Sequence, residues 1–272
     1  MENVYGLIGE KLSHSISPEI HNSIFDKTDY KGRYYIFEIK KENIKSSIEG
    51  FKMLKIGGLN VTIPYKTDVI ESMDFISDEA REIGAINTIK FKDGKCYGYN
   101  TDYYGFSYMF DKNSVTAKGK SVYVLGAGGA TKAIIKYLID NGASKISIVT
   151  RDVSKVLNIK EFKELNIISY RDIENIEAGD IIINSTPCGM YPSIDQCPVS
   201  EETIKKFKVA MDIIYNPAET MFLRIAKKWG LVVENGLPML IGQAVYAQEI
   251  FRDITIDKSI IDEICREFAV KY

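Results

Sequence analysis

Short apolar runs alternate with longer amphipathic segments along the whole chain. Val4-Tyr5-Gly6-Leu7-Ile8-Gly9 predicts a first strand, and Pro18 opens a helix that carries Ile20, Ile24 and Phe25 at helical spacing. Tyr34-Tyr35-Ile36-Phe37-Glu38-Ile39 predicts a second strand and residues 44–54 a helix. Gly57-Gly58-Leu59-Asn60-Val61-Thr62 predicts a third strand, stopped by Pro64. Helical stretches are predicted near residues 67–73 and 78–83. Residues 87–92 and 95–100 flank Asp93-Gly94, the signature of a tight hairpin. A helix over 101–110 leads to a polar stretch, 112–120, that marks a boundary.

The alternation then repeats. Strands are predicted at 121–125, 145–150, 166–169, 180–184 and 208–212. Val209-Ala210-Met211-Asp212-Ile213-Ile214 is apolar almost throughout, as buried parallel strands are. A helix at 218–228, a strand at 231–233, and helices near 237–251 and 257–268 complete the chain. The pattern is that of an α/β protein with two units.

Composition narrows the function classes. The chain has 272 residues, enough for two ordinary domains, with 45% hydrophobic and 26% charged residues. Its 35 basic and 37 acidic residues are interspersed and give a net charge of −2, which gives no support to nucleic-acid binding or attraction to a membrane surface. The start lacks the basic region and apolar core of a signal peptide, and no apolar run approaches transmembrane length, so a cytoplasmic protein is expected. Four cysteines, at 96, 188, 197 and 265, form no CxxC pair, and His14 and His21 are the two histidines, so no metal site is expected. Free thiols in a reducing compartment fit this usage.

Several stretches carry candidate chemistry. Ser121-Val122-Tyr123-Val124-Leu125 runs into Gly126, Ala127, Gly128, Gly129 and Ala130, and Ala133, Ile134, Tyr137, Leu138 and Ile139 follow at helical spacing. Strand, glycine turn and helix together suit a dinucleotide: the glycines let the backbone approach a pyrophosphate, and the helix start favours its charge. The full fingerprint has a third glycine where Thr131 stands, so an ordinary βα turn is the alternative. The stretch from Thr150 and Arg151 to Asp152 ends the next strand, where an adenosine ribose is read. There an arginine accommodates a 2′-phosphate and an acid favours a free 2′-hydroxyl, so the two residues send a mixed message.

Ser15 and Ser17 flank Ile16 just before a helix, where hydroxyls and N–H groups can hold a carboxylate; the alternative is a cap, with Ser17 at the N-cap and Pro18 behind it. Asn60-Val61-Thr62-Ile63-Pro64-Tyr65-Lys66 brings an amide, a hydroxyl and an amine to a strand end. Asn100-Thr101-Asp102 follows another strand, and Asp102 is a candidate partner for a Lys66 amine in proton transfer. Both residues are otherwise ordinary first-turn helix charges. The stretches 184–190 and 212–217 end apolar strands and either border a nicotinamide or simply turn. Gly236, Leu240, Gln243 and Ala247 share one helix face, where Gln243 either satisfies a buried polar group or meets a substrate.

Read together, these stretches resemble the shikimate dehydrogenase family. Ser-His-Ser-Ile-Ser-Pro, Asn-Val-Thr-Ile-Pro-Tyr-Lys, Gly-Ala-Ile-Asn-Thr and Asn-Thr-Asp, then Gly-Ala-Gly-Gly-Ala and Gly-Leu-Pro-Met-Leu-Ile-Gly-Gln-Ala, stand in the family's order and span nearly the whole chain. The resemblance implies an N-terminal α/β substrate domain, residues 1–104 completed by the C-terminal helices 236–272, and a Rossmann-type, doubly wound NADP-binding domain at 105–235. It implies reversible reduction of 3-dehydroshikimate to shikimate in aromatic amino-acid biosynthesis, with Lys66 and Asp102 as the catalytic pair. Ser15, Ser17, Thr62, Asn87, Tyr215 and Gln243 would join them in holding substrate. Gly126 to Ala130 would take the pyrophosphate, and Thr150, Arg151, Asp152, Ser154 and Lys155 the adenosine end. Asp78, Ile213, Gly236 and Met239 would lie near the cofactor. The family usually has Asn-Arg-Thr where this chain has Thr150-Arg151-Asp152. NADP is therefore expected to be preferred through Arg151, with weaker use of NAD. A quinate/shikimate dehydrogenase using both cofactors is the alternative, and a monomer or homodimer is expected. A non-catalytic nucleotide-binding module and a methylene-tetrahydrofolate dehydrogenase-like enzyme are further alternatives, but neither calls for Lys66, Asp102 and the serine and glutamine set together.

Overall fold

A computed structural model describes residues 3–13 and 15–271. His14 lies outside the described residues. The chain forms two compact units, one of Met1–Gly105 with Ile241–Arg266, the other of Phe106–Leu240 with Glu267–Tyr272.

The first unit contains strands β1 (Asn3–Gly9), β2 (Gly32–Glu38), β3 (Gly58–Val61), β4 (Phe75–Ile76), β5 (Thr88–Lys92) and β6 (Lys95–Tyr99). Its helices are α1 (Ser17–Lys27), α2 (Ile44–Met53) and α3 (Asp78–Ile83); α4 (Asp102–Lys112) begins at its end. The sheet order is β2-β1-β3-β5-β6-β4. β1 pairs parallel with β2 and β3, whereas β5 is antiparallel to β3 and β6, so the sheet is mixed. Asp93 and Gly94, at φ 50° and 73°, turn the β5–β6 hairpin, as two consecutive left-handed residues do in tight hairpins. Ile8, Leu59, Val61, Tyr65, Ile86 and Ile89 fill one core cluster. A second cluster joins Tyr5, Phe25 and Tyr34 to Ala247 and Phe251 near the C-terminus. Gly58 is where this approach is closest: a Cβ there would overlap the Phe251 ring.

The second unit contains β7 (Ser121–Leu125), β8 (Lys145–Thr150), β9 (Asn166–Ser169), β10 (Ile181–Asn184), β11 (Val209–Asp212) and β12 (Val232–Glu234). Helices α5 (Gly129–Asp140), α6 (Val153–Leu157), α7 (Tyr170–Ile173), α8 (Glu201–Ile204) and α9 (Met221–Lys228) connect them, and α10 (Leu237–Arg252) and α11 (Ser259–Ala269) follow. Every pairing is parallel and the order is β12-β11-β10-β7-β8-β9. Counted from β7, that is the doubly wound 3-2-1-4-5-6 order read from the other edge. Ile181-Ile182-Ile183 is fully covered because helices shield both faces of such a sheet.

Two local expectations change. Residues 67–73 form turns and one 3₁₀ turn at Ile70–Ser72, not an α-helix, because buried Tyr65 and Val69 anchor the segment and β4 begins immediately afterwards. β4 has two residues, too few to show a period. Ser17 does not cap α1: Ile16 occupies the N-cap position, no side chain caps the helix, and the Ser17 hydroxyl accepts from Ser15 instead.

Candidate active site

Lys66 is positioned by the turn that leaves β3. The Thr62 N–H donates to the Ile8 carbonyl at 3.0 Å, the Ile63–Pro64 peptide is cis, and the buried Tyr65 hydroxyl donates to the Ile39 carbonyl at 2.5 Å. The Lys66 carbonyl accepts the Ile86 N–H at 2.7 Å. Backbone and neighbouring ring are thus held, which fixes the point from which the lysine side chain extends. Asp102 opens α4, where a carboxylate suits the helix start. Its N–H donates to Asn100 Oδ1 at 3.1 Å, and Asn100 donates to the Ala85 carbonyl at 2.9 Å.

The two side chains meet. Lys66 Nζ donates to Asp102 Oδ2 at 2.5 Å, and the side chains are 19% and 12% exposed. Asn87, 2% exposed, donates its amide to Asp102 Oδ1 at 2.8 Å. One carboxylate therefore receives an amine on one oxygen and an amide on the other. Partial burial makes this pair strongly interdependent, since removing either partner leaves a desolvated charge.

Ser15 donates to the Ser17 hydroxyl at 3.1 Å, and both are half-buried; Thr62 packs its methyl near Gly9 at the end of β1. Gln243 is half-buried on α10. The amide that satisfies a buried polar group is Gln248, five residues on: it is fully buried, 2.9 Å from His21 Nδ1. Asp78 is exposed in the first turn of α3. Asn60 is buried, bonded to Tyr34, Thr88 and the Asn87 carbonyl, so it stands behind the site and not in it.

In the second unit, Gly126 follows β7 with φ 98°, and a Cβ there would lie 2.8 Å from Thr186 Cγ2. Only glycine fits both the conformation and the space. Nothing crowds Gly128 or Gly129, so the start of α5 presents open backbone to a ligand. Thr131, in place of the third glycine, is fully buried with its hydroxyl 2.9 Å from that of Ser185, which donates to the Leu125 carbonyl at 2.7 Å. The residue ties α5 to the loop after β10 where a glycine would only let them approach. This is the switch point between β7 and β10, where doubly wound sheets bind ligands.

A cleft of about 230 Å³ lies along this turn, lined by Gly126, Ala127, Gly128, Thr150, Arg151, Tyr170, Ser185, Thr186 and Pro187. A larger one of about 720 Å³ adjoins it, sharing Arg151, Tyr170, Thr186 and Pro187 and extending past Cys188, Met190 and Cys197. Arg151 is exposed at the end of β8. Asp152 caps α6: its Oδ1 accepts the Lys155 N–H at 3.0 Å and the Ser154 hydroxyl at 2.7 Å. Those bonds hold its carboxyl below the usual range, so it is ionised. Ala130 continues the first turn of α5. Tyr170 was not foreseen; it follows β9 with no glycine or charge pattern to mark it.

Asn184 and Asp212 end adjacent strands and bond at 3.1 Å; Asp212 also accepts from the Ile214 N–H and the Thr220 hydroxyl, at 3.0 and 2.7 Å. Asn184 in turn accepts from the Thr186 N–H and hydroxyl. Burial pushes the Asp212 carboxyl up to about 6 despite three donors. The loop so braced carries Ile213 and half-buried Tyr215, while Gly236 donates its N–H to the Ile214 carbonyl at 2.9 Å and Met239 is buried nearby in sequence on α10.

A doubly wound parallel sheet with an open glycine turn, in a chain that also carries a paired lysine and aspartate at a strand end, defines a dinucleotide-dependent oxidoreductase. Comparison with known proteins narrows the class. Residues 7–89 match the shikimate dehydrogenase substrate binding domain, and residues 110–213 match shikimate / quinate 5-dehydrogenase. The shikimate dehydrogenase (NADP(+)) of Clostridium perfringens is 51% identical over 271 residues, 99% of each chain. The crystal structure of a chorismate mutase/shikimate 5-dehydrogenase fusion protein from Clostridium acetobutylicum aligns with a TM-score of 0.96 at 48% identity, covering 100% of this chain and 98% of that one. Shikimate 5-dehydrogenase from Thermus thermophilus, in complex with NADP(H) and shikimate, aligns at 0.87 with 28% identity, covering 97% and 99%. This chain belongs to the shikimate dehydrogenase family.

Proposed function

We propose that this protein interconverts 3-dehydroshikimate and shikimate with NADP(H) as cofactor, with Lys66 and Asp102 as its acid–base pair. The observation that carries the assignment of roles is the 2.5 Å contact between Lys66 Nζ and Asp102 Oδ2, with Asn87 on the other carboxylate oxygen. The open backbone at Gly128 and Gly129 and the exposed Arg151 beside the 230 Å³ cleft suit a dinucleotide bearing a 2′-phosphate. NADPH supplies the hydride delivered to the carbonyl carbon.

The protein's own task is to orient substrate and to move a proton. Ser15, Ser17, Thr62, Asn87, Tyr215 and Gln243 hold the substrate's carboxylate and hydroxyls. Lys66, as ammonium, gives a proton to the reacting oxygen on reduction and takes it back in the reverse direction. Asp102 fixes the amine and accepts from a substrate hydroxyl, which keeps the amine aimed at one oxygen. Gly126 to Ala130 hold the pyrophosphate, Thr150, Arg151, Ser154 and Lys155 the adenosine end, and Asp78, Ile213, Gly236 and Met239 surround the remainder. The first unit, with the C-terminal helices, acts as the substrate domain and the second as the cofactor domain. We place the enzyme in the cytoplasm, as a monomer or homodimer, in keeping with its four free cysteines.

Oxidation of shikimate and of quinate, each with NADP⁺ and NAD⁺, tests the assignment. Shikimate with NADP⁺ is expected to be the preferred pair; preference for NAD⁺, or no shikimate oxidation, rejects the reading. Lys66→Ala is expected to lower kcat by roughly 10²–10⁴-fold with little change in KM. An unchanged kcat removes Lys66 from the mechanism.

A further inference from the structure

We infer that Tyr34 is a positioning residue for Asp102, acting through a buried one-way chain of hydrogen bonds. The Tyr34 hydroxyl donates to Asn60 Oδ1 at 2.9 Å, and Asn60 Nδ2 donates to Thr88 Oγ1 at 3.0 Å. Thr88 Oγ1 donates to Asn87 Oδ1 at 2.9 Å, and Asn87 Nδ2 donates to Asp102 Oδ1 at 2.8 Å. Tyr34, Asn60, Thr88 and Asn87 are all 5% exposed or less. The inference rests on the role given to Asp102 above.

Two backbone groups set the direction. The Thr101 N–H donates to Asn87 Oδ1 at 2.7 Å, so the carbonyl end of that amide faces inward and its NH₂ faces Asp102. The Asn87 carbonyl accepts from Asn60 Nδ2 at 3.3 Å, so Asn60 also has one orientation, and its oxygen must receive the Tyr34 hydroxyl. The Thr101 hydroxyl lies 3.1 Å from that of Thr88 and 3.2 Å from Asn87 Oδ1. Thr88 therefore drives Asn87 either directly or through Thr101, and the sense toward Asp102 is the same by both routes. Donors aligned in one sense polarise one another in a low-dielectric interior.

The far end of the chain is closed. The Tyr34 ring stacks on His21 at 3.9 Å and 7°, and Gln248 holds the imidazole. Burial keeps Tyr34 a phenol and His21 neutral, so this end of the line carries no charge. The consequence is a stronger Asn87 donor on Oδ1 and a carboxylate whose Oδ2 is held toward the amine.

Tyr34→Phe tests this in the full-length enzyme, because it keeps the stacked ring and removes only the O–H. The expected result is a kcat about 3- to 10-fold lower, the effect of one buried hydrogen bond, with KM for shikimate almost unchanged and the acid limb of the kcat–pH profile moved upward. Thr88→Val should reproduce both effects and Thr88→Ser should restore them. Unchanged kcat and an unmoved acid limb in Tyr34→Phe overturn the inference, even if the melting temperature falls. Asp102→Asn separates the two levels: if it is inactive while Tyr34→Phe behaves as wild type, only the inference fails, and if it retains full activity both fail.

Discussion

Arg151 and Asp152 stand side by side where the adenosine ribose is read, and the structure gives them different tasks. The Asp152 carboxylate is bound into the first turn of α6 through Oδ1. Arg151 is exposed and borders both clefts. If Arg151 receives a 2′-phosphate, Arg151→Ala removes a charge-assisted contact of roughly 1.5–3 kcal/mol. Solvent exposure places the loss at the lower end, about tenfold. Steady-state kcat/KM for NADPH and NADH, measured on 3-dehydroshikimate at low and high salt, reads it directly. NADPH should lose about tenfold, NADH almost nothing, and the NADPH loss should shrink as salt rises. Asp152→Asn preserves an N-cap residue while deleting the charge, and is expected to raise kcat/KM for NADPH a few-fold without changing that for NADH. Equal losses with both cofactors in Arg151→Ala would refute the reasoning, because the arginine would then serve the fold or the common part of the dinucleotide.

Two further outcomes are expected. Gly126→Ala forces φ 98° on an L residue and sets a methyl 2.8 Å from Thr186, costing ~1–3 kcal/mol; calorimetric titration should show NADP⁺ affinity reduced tenfold or more with shikimate affinity retained. The Asp212 carboxyl sits near 6 against 3.8 outside the fold, so its contribution is fully present below about pH 4 and is lost as pH rises through 6. That shift corresponds to ~3 kcal/mol, so urea unfolding from pH 4 to 7 should show wild type losing stability relative to Asp212→Asn as pH rises; a constant difference contradicts it.

The parallel sheet of the second unit was legible because Ile181-Ile182-Ile183 and its neighbours are apolar on both faces, which a parallel strand requires. The β5–β6 hairpin was legible from two residues, Asp93 and Gly94, whose backbone conformation is local. What escaped depends on partners distant in sequence. Asp152 reads as a cofactor selector until its bonds to Ser154 and Lys155 are seen. Thr131 reads as a defect in a glycine fingerprint until its hydroxyl is found on Ser185, 54 residues away. Asn60 reads as a ligand group at a strand end, yet it faces inward to Thr88 and Tyr34. Lys66 and Asp102 were candidates from their strand-end positions, but 36 residues of intervening chain concealed that they touch.

The close approach of Phe251 to Gly58 bears on how the chain is made. The cluster of Tyr5, Phe25 and Tyr34 takes one wall from Ala247 and Phe251, and Arg252 lies over Tyr30 at 3.9 Å while Asp253 pairs with Lys90 and Lys92. On a ribosome the first 105 residues emerge early, but that wall arrives only after residues 106–240 have been added. At roughly 5–20 residues per second the interval is on the order of 7–27 s. During it, the nascent first unit exposes the apolar seat of Phe251 while the inserted unit already has all six strands of its sheet. Synthesis therefore completes the six-stranded sheet of the second unit before the apolar cluster of the first, and residues 241–266 supply the closing step in folding of the first unit.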